Sequence, residues 1–202
     1  MPRRPTPEII CTRLQKAVDE VVMPHIPLED RYIRTYPEML SDFAQATKDG
    51  WTAERVVECI KLVYTWMPTR GELRIDMNVA EQIATELNIG IDTDRLIKLA
   101  SELAKNSMVS GSKFLHFYDP ARFPITDSWL QELSGKPDPY YRVDYYLDYK
   151  AGVHLVDEPH ALRAQEWAER AFGYEVHRTR AIEAVAFYLI KAGWHHDTTA
   201  LA

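Results

Sequence analysis

Apolar residues recur along most of this chain with the spacing of amphipathic helices. The first such stretch begins at Thr6, a capping residue followed by proline at the first helical position, and it ends before Pro24. Its apolar face consists of Ile10, Leu14, Ala17, Val18 and Val21. This stretch therefore predicts an amphipathic helix that packs on a core.

Similar patterns predict helices over most of the remaining chain, whereas residues 24–36 predict an irregular connection. The predicted helices lie at about residues 37–50, 52–68, 77–88, 92–103, 112–118, from 127 onward, 140–150, 158–172 and 178–192. No internal repeat and no β-hairpin pattern interrupts them. The sequence predicts an all-α protein, folded as an orthogonal multi-helix bundle.

The length of 202 residues suits a single helical domain over residues 1–202. The densest turn-forming cluster, SGKPDP at residues 134–139, predicts a seam between subdomains. A second turn is expected at Val109–Ser112, between two helices. The polar residues 195–202 predict a frayed tail.

The composition indicates a cytoplasmic protein without a membrane partner. No apolar run reaches the length that a membrane-spanning helix needs, and MPRRPTPEII lacks the apolar core of a signal peptide. The two cysteines, Cys11 and Cys59, show no CxxC spacing and are expected to be reduced thiols.

The net charge disfavours strong nucleic-acid binding. Lysine and arginine number 24 and aspartate and glutamate number 30, so the formal charge is −6. Affinity for DNA depends largely on the neutralisation of phosphates by basic side chains. The arginines form only modest clusters, at residues 3–4 and at Arg163, Arg170, Arg178 and Arg180. We therefore expect weak binding if DNA is the partner.

Residues 107–130 combine a glycine, a lysine at a predicted helix start and an aspartate at the next helix start. Near a helix N-terminus, Lys113 would feel the positive end of the dipole, and burial beside Phe114 and Phe117 would also favour a neutral amine. A neutral amine can attack an electrophilic carbon and form a Schiff base. Asp127, at a cap, would stay ionised and stabilise developing positive charge.

The same two residues also have a purely structural interpretation. A lysine after Ser-Gly-Ser is often a solvated residue at the start of a helix, and Asp127 in the sequence TDS is a good cap in any protein. Helix caps are far more common than catalytic carboxylates. Spacing alone therefore favours the structural interpretation.

The run SGSKFLHFYDPARFPITDSWL at residues 110–130 resembles the catalytic segment of the helix-hairpin-helix DNA glycosylase superfamily. It is most similar to the bacterial 8-oxoguanine DNA glycosylase-like branch. The resemblance implies that Lys113 is the nucleophile that attacks C1′ of the sugar and that Asp127 is its acidic partner. It also implies that Ser110, Gly111 and Ser112 form the remainder of a hairpin that binds DNA phosphates.

A protein of this kind excises damaged or modified bases in DNA repair, as a hydrolase and lyase, and needs neither a metal nor another cofactor. The excised base must be flipped into a pocket with aromatic or apolar walls. Phe117, Trp129 and Tyr145 are the candidate walls, and His116 follows Lys113 by one helical turn and would share the pocket. The alternative, which we favour, is a partly buried histidine with a hydrogen bond to the backbone.

Five tyrosines near residues 140–149 allow two interpretations. One interpretation is a stacking platform for bases or sugars. The other, which we favour, is a packing face whose hydroxyls lie at its rim. The set consists of Tyr140, Tyr141, Tyr145, Tyr146 and Tyr149.

Two other functions remain open at this point. The resemblance departs from the usual glycine-any-glycine hairpin, because Gly111 is its single glycine. This departure and the charge of −6 favour a catalytically inactive scaffold of the same fold that binds a protein or DNA partner. The third alternative is a toxin or phage-defence component that acts on nucleic acid.

Overall fold

The computed structural model describes residues 4–22, 30–67, 73–89, 93–104, 107–134 and 142–195. Within these ranges the protein has ten α-helices and one 3₁₀ helix, and an isolated antiparallel bridge joins Ile75 to Ala104. The helices are α1 Pro7–Glu20, α2 Arg31–Arg34, α3 Tyr36–Thr47, α4 Ala53–Trp66, α5 Met77–Ile89, α6 Thr93–Leu103, α7 Met108–Tyr118, the 3₁₀ helix Leu130–Ser134, α8 Val143–Leu155, α9 Glu158–Phe172 and α10 Arg178–Lys191. The predicted all-α class is confirmed for these residues.

Capping chemistry explains several of the helix boundaries. The Thr52 hydroxyl accepts a hydrogen bond from the Arg55 amide at 3.3 Å, which caps α4 as the sequence predicts. Helix α9 coincides with the predicted range 158–172. It ends at Gly173, whose φ of +80° is a left-handed conformation that glycine adopts without strain.

Three local predictions are wrong. Helix α7 begins at Met108, so Val109–Ser112 forms part of its first turns instead of a turn between two helices. The short helix α2 lies within the predicted irregular connection 24–36. The helix expected from Asp127 is a short 3₁₀ helix that begins at Leu130. The predicted seam at 134–139 and the predicted tail at 195–202 lie almost wholly outside the described residues.

The chain divides into two compact units. We call them the central unit, the described part of residues 29–119 and 140–143, and the terminal unit, the described part of residues 1–28, 120–139 and 144–202. None of the helices in the described ranges combines the length and the apolar character needed to span a lipid bilayer.

Helix α7 is the innermost helix of the central unit, where it packs on α3, α4 and α6. All of its residues from Ser110 to Phe117 are buried. The sequence MVSGSKFLHFY therefore folds as a core helix, and the polar side chains on it are buried with it.

Gly111 explains how closely α6 and α7 pack. A Cβ atom at this position would lie 2.7 Å from the Ala100 carbonyl carbon and oxygen and 2.9 Å from the Ser101 nitrogen. Real Cβ atoms do not approach backbone atoms this closely, so a side chain here would push the two helices apart. The glycine is required for helix packing in this structure.

In the terminal unit, α10 packs on α1, α9 and the 3₁₀ helix. It is buried almost continuously from Thr179 to Ala186. Two of these buried residues, Arg180 and Glu183, are charged.

Candidate functional site

Lys113 lies in the second turn of α7 and is 7% exposed. Lysine is among the residues that are rarely buried, because an ammonium loses its hydration in the protein interior. The expected burial is confirmed. Since α7 begins at Met108, Lys113 is the sixth residue of the helix, and the helix dipole acts mainly within the first turn. The helix dipole therefore acts less strongly on Lys113 than it would on a lysine in the first turn.

Aromatic rings surround Phe117, the candidate pocket wall on α7. Its ring centroid lies 5.1 Å from that of Trp66, 5.5 Å from Phe43 and 5.6 Å from Tyr36. Phe117 is buried by these neighbours. Its ring is thus part of the core packing of the central unit, and a base would have to displace one of these rings in order to stack on it.

His116 is fully buried beside the same cluster. Its Nε2 atom lies 2.8 Å from the Tyr36 hydroxyl, so this nitrogen has a side-chain partner on α3. The expected backbone partner is not what this nitrogen contacts. A hydrogen bond between these two groups satisfies polar atoms that would otherwise be costly to bury.

The three residues assigned to the hairpin are helical. The Ser110 amide points to the Ser107 hydroxyl at 3.4 Å, and the Gly111 amide donates to the Ser107 carbonyl at 2.9 Å. Ser110, Gly111 and Ser112 are all buried. A phosphate-binding role for these residues stays a prediction, and the Ser110 and Gly111 amides are already engaged inside the protein.

Asp127 lies in the terminal unit, where it caps the turn that leads into the 3₁₀ helix. Its Oδ1 atom accepts hydrogen bonds from the Trp129 amide at 2.9 Å and the Leu130 amide at 3.0 Å. The predicted capping role is confirmed. Oδ2 accepts no hydrogen bond within the described part of the chain, and the side chain is half-buried. Oδ1 therefore holds the backbone of this turn.

Four side chains from α8 and α10 hold the irregular segment that leads to Asp127, residues 120–126. In addition to the Glu183 carboxylate, three groups contact its carbonyl oxygens. The contacts are Glu183 Oε2 to the Ile125 amide at 3.1 Å, the Tyr146 hydroxyl to the Pro124 carbonyl at 2.9 Å, the Thr179 hydroxyl to the Ala121 carbonyl at 3.1 Å and His154 Nε2 to the Arg122 carbonyl at 2.9 Å.

Tyr146 and Tyr149 are buried in α8, as a packing face predicts, but their hydroxyls are buried too and do not lie at a rim. Burial raises the pKa of both phenols well above the usual value, and the negative charge of Glu183 raises it further. The charge of Asp127 also raises the pKa of Tyr149. The Tyr149 hydroxyl has no hydrogen-bond partner in the described ranges. Tyr140 and Tyr141 lie outside them.

Trp129 and Tyr145, the other candidate walls, differ in accessibility. Trp129 is 43% exposed, two residues after Asp127. Tyr145 is half-buried, and the Arg4 guanidinium lies over its ring at 5.4 Å from the centroid. Arg4 also pairs with Asp144 and Asp148. One face of the Tyr145 ring is thus covered by a cation, whereas the Trp129 ring is open to a ligand.

The candidate residues fall into two groups. Lys113, His116 and Phe117 lie in the central unit together with residues 110–112, whereas Asp127, Trp129 and Tyr145 lie in the terminal unit. The partnership of Lys113 and Asp127 that the resemblance implies stays a prediction.

The buried ion pair Arg180–Glu183 was not predicted. Arg180 belongs to one of the modest arginine clusters noted in the sequence, and no role was predicted for Glu183. The missed signal is the position of both charges three residues apart within an almost wholly apolar helix, between Ala181, Ile182 and Ala184. Within the described ranges, no three side chains of histidine, cysteine, aspartate or glutamate form a cluster suited to a metal ion.

Comparison of the chain with protein-family models, with curated proteins and with solved structures finds no match. The geometry of the side chains is therefore the basis for a functional conclusion.

Proposed function

We propose that the protein is a DNA glycosylase/lyase-like enzyme of helix-hairpin-helix type, with Lys113 as nucleophile and Asp127 as its acidic partner. The observation that carries the proposal is the burial of Lys113 in the innermost helix of the central unit. Burial of an ammonium is costly, and catalytic lysines that form Schiff bases exploit this cost to favour the neutral amine.

The hydrogen bonds of Asp127 support the same proposal, because they involve one of its two carboxylate oxygens. The Oδ1 atom is fixed by two backbone amides, which preorganises the carboxylate, while Oδ2 faces no donor in the described part of the chain. A carboxylate held in this way stabilises positive charge that develops on the sugar during departure of the base. Trp129, exposed beside it, offers a ring for base or sugar stacking.

The proposed reaction needs no cofactor. The lone pair of the Lys113 amine forms a bond to C1′, and the bond between C1′ and the base breaks with its electron pair going to the base, which takes up a proton. The nitrogen loses a proton, the sugar ring opens with protonation of its oxygen, and an imine links the lysine to C1′. Hydride from borohydride reduces this imine to a stable amine.

A second candidate function is a non-catalytic scaffold of the same class that binds a protein or DNA partner. The specific observation in its favour is that Ser110–Ser112 lies within α7, with the Ser110 and Gly111 amides engaged there. A phosphate-binding hairpin needs amides that point to the ligand. The formal charge of −6 favours the same alternative.

Borohydride trapping distinguishes the two candidates. The protein is incubated with duplexes that carry oxidised, deaminated or alkylated bases or an abasic site, and covalent protein–DNA adducts are measured after reduction. We expect an adduct for at least one lesion with wild type and none with Lys113→Ala or Lys113→Met. Lys98, exposed on α6, provides the matched control, and Lys98→Ala should give wild-type adducts.

Asp127→Asn tests the role of the acidic partner separately, because the asparagine side chain still accepts the capping hydrogen bonds but carries no negative charge. We expect slower adduct formation with unchanged thermal stability. The enzyme proposal is rejected if wild type and Lys113→Met give equal amounts of adduct, or if wild type gives none across the whole panel. The non-catalytic scaffold is then the candidate that stands.

A further inference from the structure

The buried charged residues of α10, Arg180 and Glu183, lie beside residues 120–126, the segment that leads to Asp127. Glu183 is 2% exposed and Arg180 7% exposed, and the two side chains form an ion pair across one helical turn. The Glu183 Oε2 atom also accepts the Ile125 amide at 3.1 Å, two residues before Asp127. One carboxylate therefore joins a helix to an irregular stretch of backbone.

An ion pair in a protein interior is poorly explained by stability alone. Removing two charges from water costs more than an apolar pair of the same volume, so apolar replacements are often neutral or stabilising. A buried backbone amide, however, needs an acceptor, and an irregular segment cannot supply one from a helical ladder. Glu183 supplies this acceptor for Ile125, and Arg180 balances its charge.

A second buried contact holds the adjacent peptide. The Tyr146 hydroxyl, from α8, donates to the Pro124 carbonyl at 2.9 Å. The amide of residue 125 and the carbonyl of residue 124 belong to the same peptide group, so two helices hold this peptide from both of its polar ends. We call this arrangement the peptide clamp, formed by Tyr146, Arg180 and Glu183.

We propose that Glu183, supported by Arg180, is a positioning residue for Asp127 and that the peptide clamp fixes the path of the segment on which the acidic partner stands. This inference rests on the proposed function, because it assigns the clamp to that site. It predicts that loss of the clamp slows the chemical step and leaves the fold and the DNA affinity in place.

The double variant Arg180→Met/Glu183→Met tests the inference, because it removes both charges with little change of volume. We expect a folded protein with a lower melting temperature, because apolar packing offsets the lost ion pair but the buried Ile125 amide loses its acceptor. Trapping at saturating DNA should be slower by about tenfold to a hundredfold, the effect of a small misplacement of a catalytic group. The DNA concentration at half-saturation should stay unchanged. The matched control is Lys16→Gln/Glu20→Gln, which removes an exposed ion pair of the same unit.

Hydrogen exchange of the Ile125 amide, measured by NMR, tests the clamp without any activity. In the double variant this amide should exchange at least about fivefold faster, the factor that corresponds to one lost hydrogen bond. Tyr146→Phe removes the other half of the clamp without a change of charge. It should accelerate the same exchange and slow trapping, and it serves as the deciding variant should the double variant fail to fold.

The outcomes separate the two proposals. If wild type traps no DNA, the proposed enzyme is rejected, and Ile125 exchange alone then decides whether the clamp holds the segment. If wild type traps DNA and both clamp variants trap at its rate, or if Ile125 exchange stays unchanged in both, the positioning role is overturned.

Discussion

The Tyr36 hydroxyl and His116 Nε2 lie 2.8 Å apart inside the central unit and connect α3 to α7. His116 is fully buried and Tyr36 nearly so. This pair lies beside Phe117 in the aromatic cluster that packs α7, so it bears on the rigidity of the helix that carries Lys113.

Tyr36→Phe should destabilise the protein. The change leaves a buried imidazole nitrogen without this partner, which costs about 1–3 kcal/mol. Urea denaturation measures the loss. Tyr64→Phe is the control, because the Tyr64 hydroxyl makes a long 3.5 Å contact with Ser110 and should contribute less. Equal effects of the two changes would contradict a specific role for the Tyr36 hydroxyl.

Gly111→Ala should destabilise the fold by about 1–3 kcal/mol, the usual range for overpacking. The added methyl group would meet the backbone of Ala100, which cannot move without the helix. Helix propensity alone would favour alanine by about 1 kcal/mol, so a more stable variant would contradict the close approach of α6 and α7. Gly152→Ala should destabilise the fold as well, because its Cβ would lie 2.7 Å from Ile10 Cγ2, 2.8 Å from Ile10 Cβ and 2.9 Å from the Pro7 carbonyl oxygen.

Tyr149→Phe and Tyr146→Phe should have opposite consequences for stability. Tyr149 carries a buried hydroxyl without a partner in the described ranges, so its removal should be neutral or stabilising. Tyr146→Phe removes the donor of the Pro124 carbonyl and should cost about 1–3 kcal/mol. Chemical denaturation of both variants checks the ranking, and a larger loss for Tyr149→Phe would show that its hydroxyl is satisfied in solution.

His160 should make the stability of the terminal unit dependent on pH. Its hydrogen bond to Asp157 raises the pKa of His160 above 6.5 and lowers the pKa of Asp157 below 3.8, while Asp19 and Arg163 complete the surrounding charges. The histidine contribution is complete below pH 6.5 and disappears as the pH rises through the higher folded value. The aspartate contribution is present above pH 3.8 and disappears as the pH falls through the lower folded value.

The stability difference between wild type and His160→Gln should therefore be largest between pH 3.8 and 6.5 and should decline on either side. Thermal melting at a series of pH values measures it. A difference that is constant with pH would show that the imidazole contributes by packing and not by charge.

Both thiols should react slowly in the native protein. Burial raises the pKa of Cys59 to about 12 and also raises the pKa of Cys11, and the thiolate is the reactive form. A chromogenic disulfide reagent should therefore modify native protein slowly at pH 8 and two thiols per chain rapidly in urea. Fast modification of a native thiol would indicate local opening of its helix.

Helix periodicity and capping residues were sufficient for most of the fold. The bounds of α5, α9 and α10 agree with the predicted ranges to within one residue, and α1 begins where Thr6 and Pro7 predict. The start of α7 was misplaced because Gly111 suggests a turn when only neighbours in sequence are considered. Its role depends on the backbone of Ala100, which is a tertiary contact.

The site was less accessible to prediction. Burial of Lys113 followed from its apolar neighbours in the sequence, and the cap at Asp127 followed from its residue type. The clamp did not follow, because the hydrogen bond from the Ile125 amide to the Glu183 carboxylate joins residues far apart in the sequence and leaves no periodic signal. Two opposite charges three residues apart among apolar residues indicate that Arg180 and Glu183 are buried, but they do not indicate that Glu183 contacts the Ile125 amide.

The interleaving of the two units along the chain sets an order for folding during synthesis. Residues 29–119 supply nearly all of the central unit and emerge from the ribosome as one continuous piece. Helix α1 emerges before them, yet its partners α9 and α10 are translated last. At a translation rate of roughly 5–20 residues per second, α10 is synthesised roughly 8–30 s after α1. During this interval Ile10, Leu14 and Val18, which are buried in the folded protein, lack the two helices on which α1 packs.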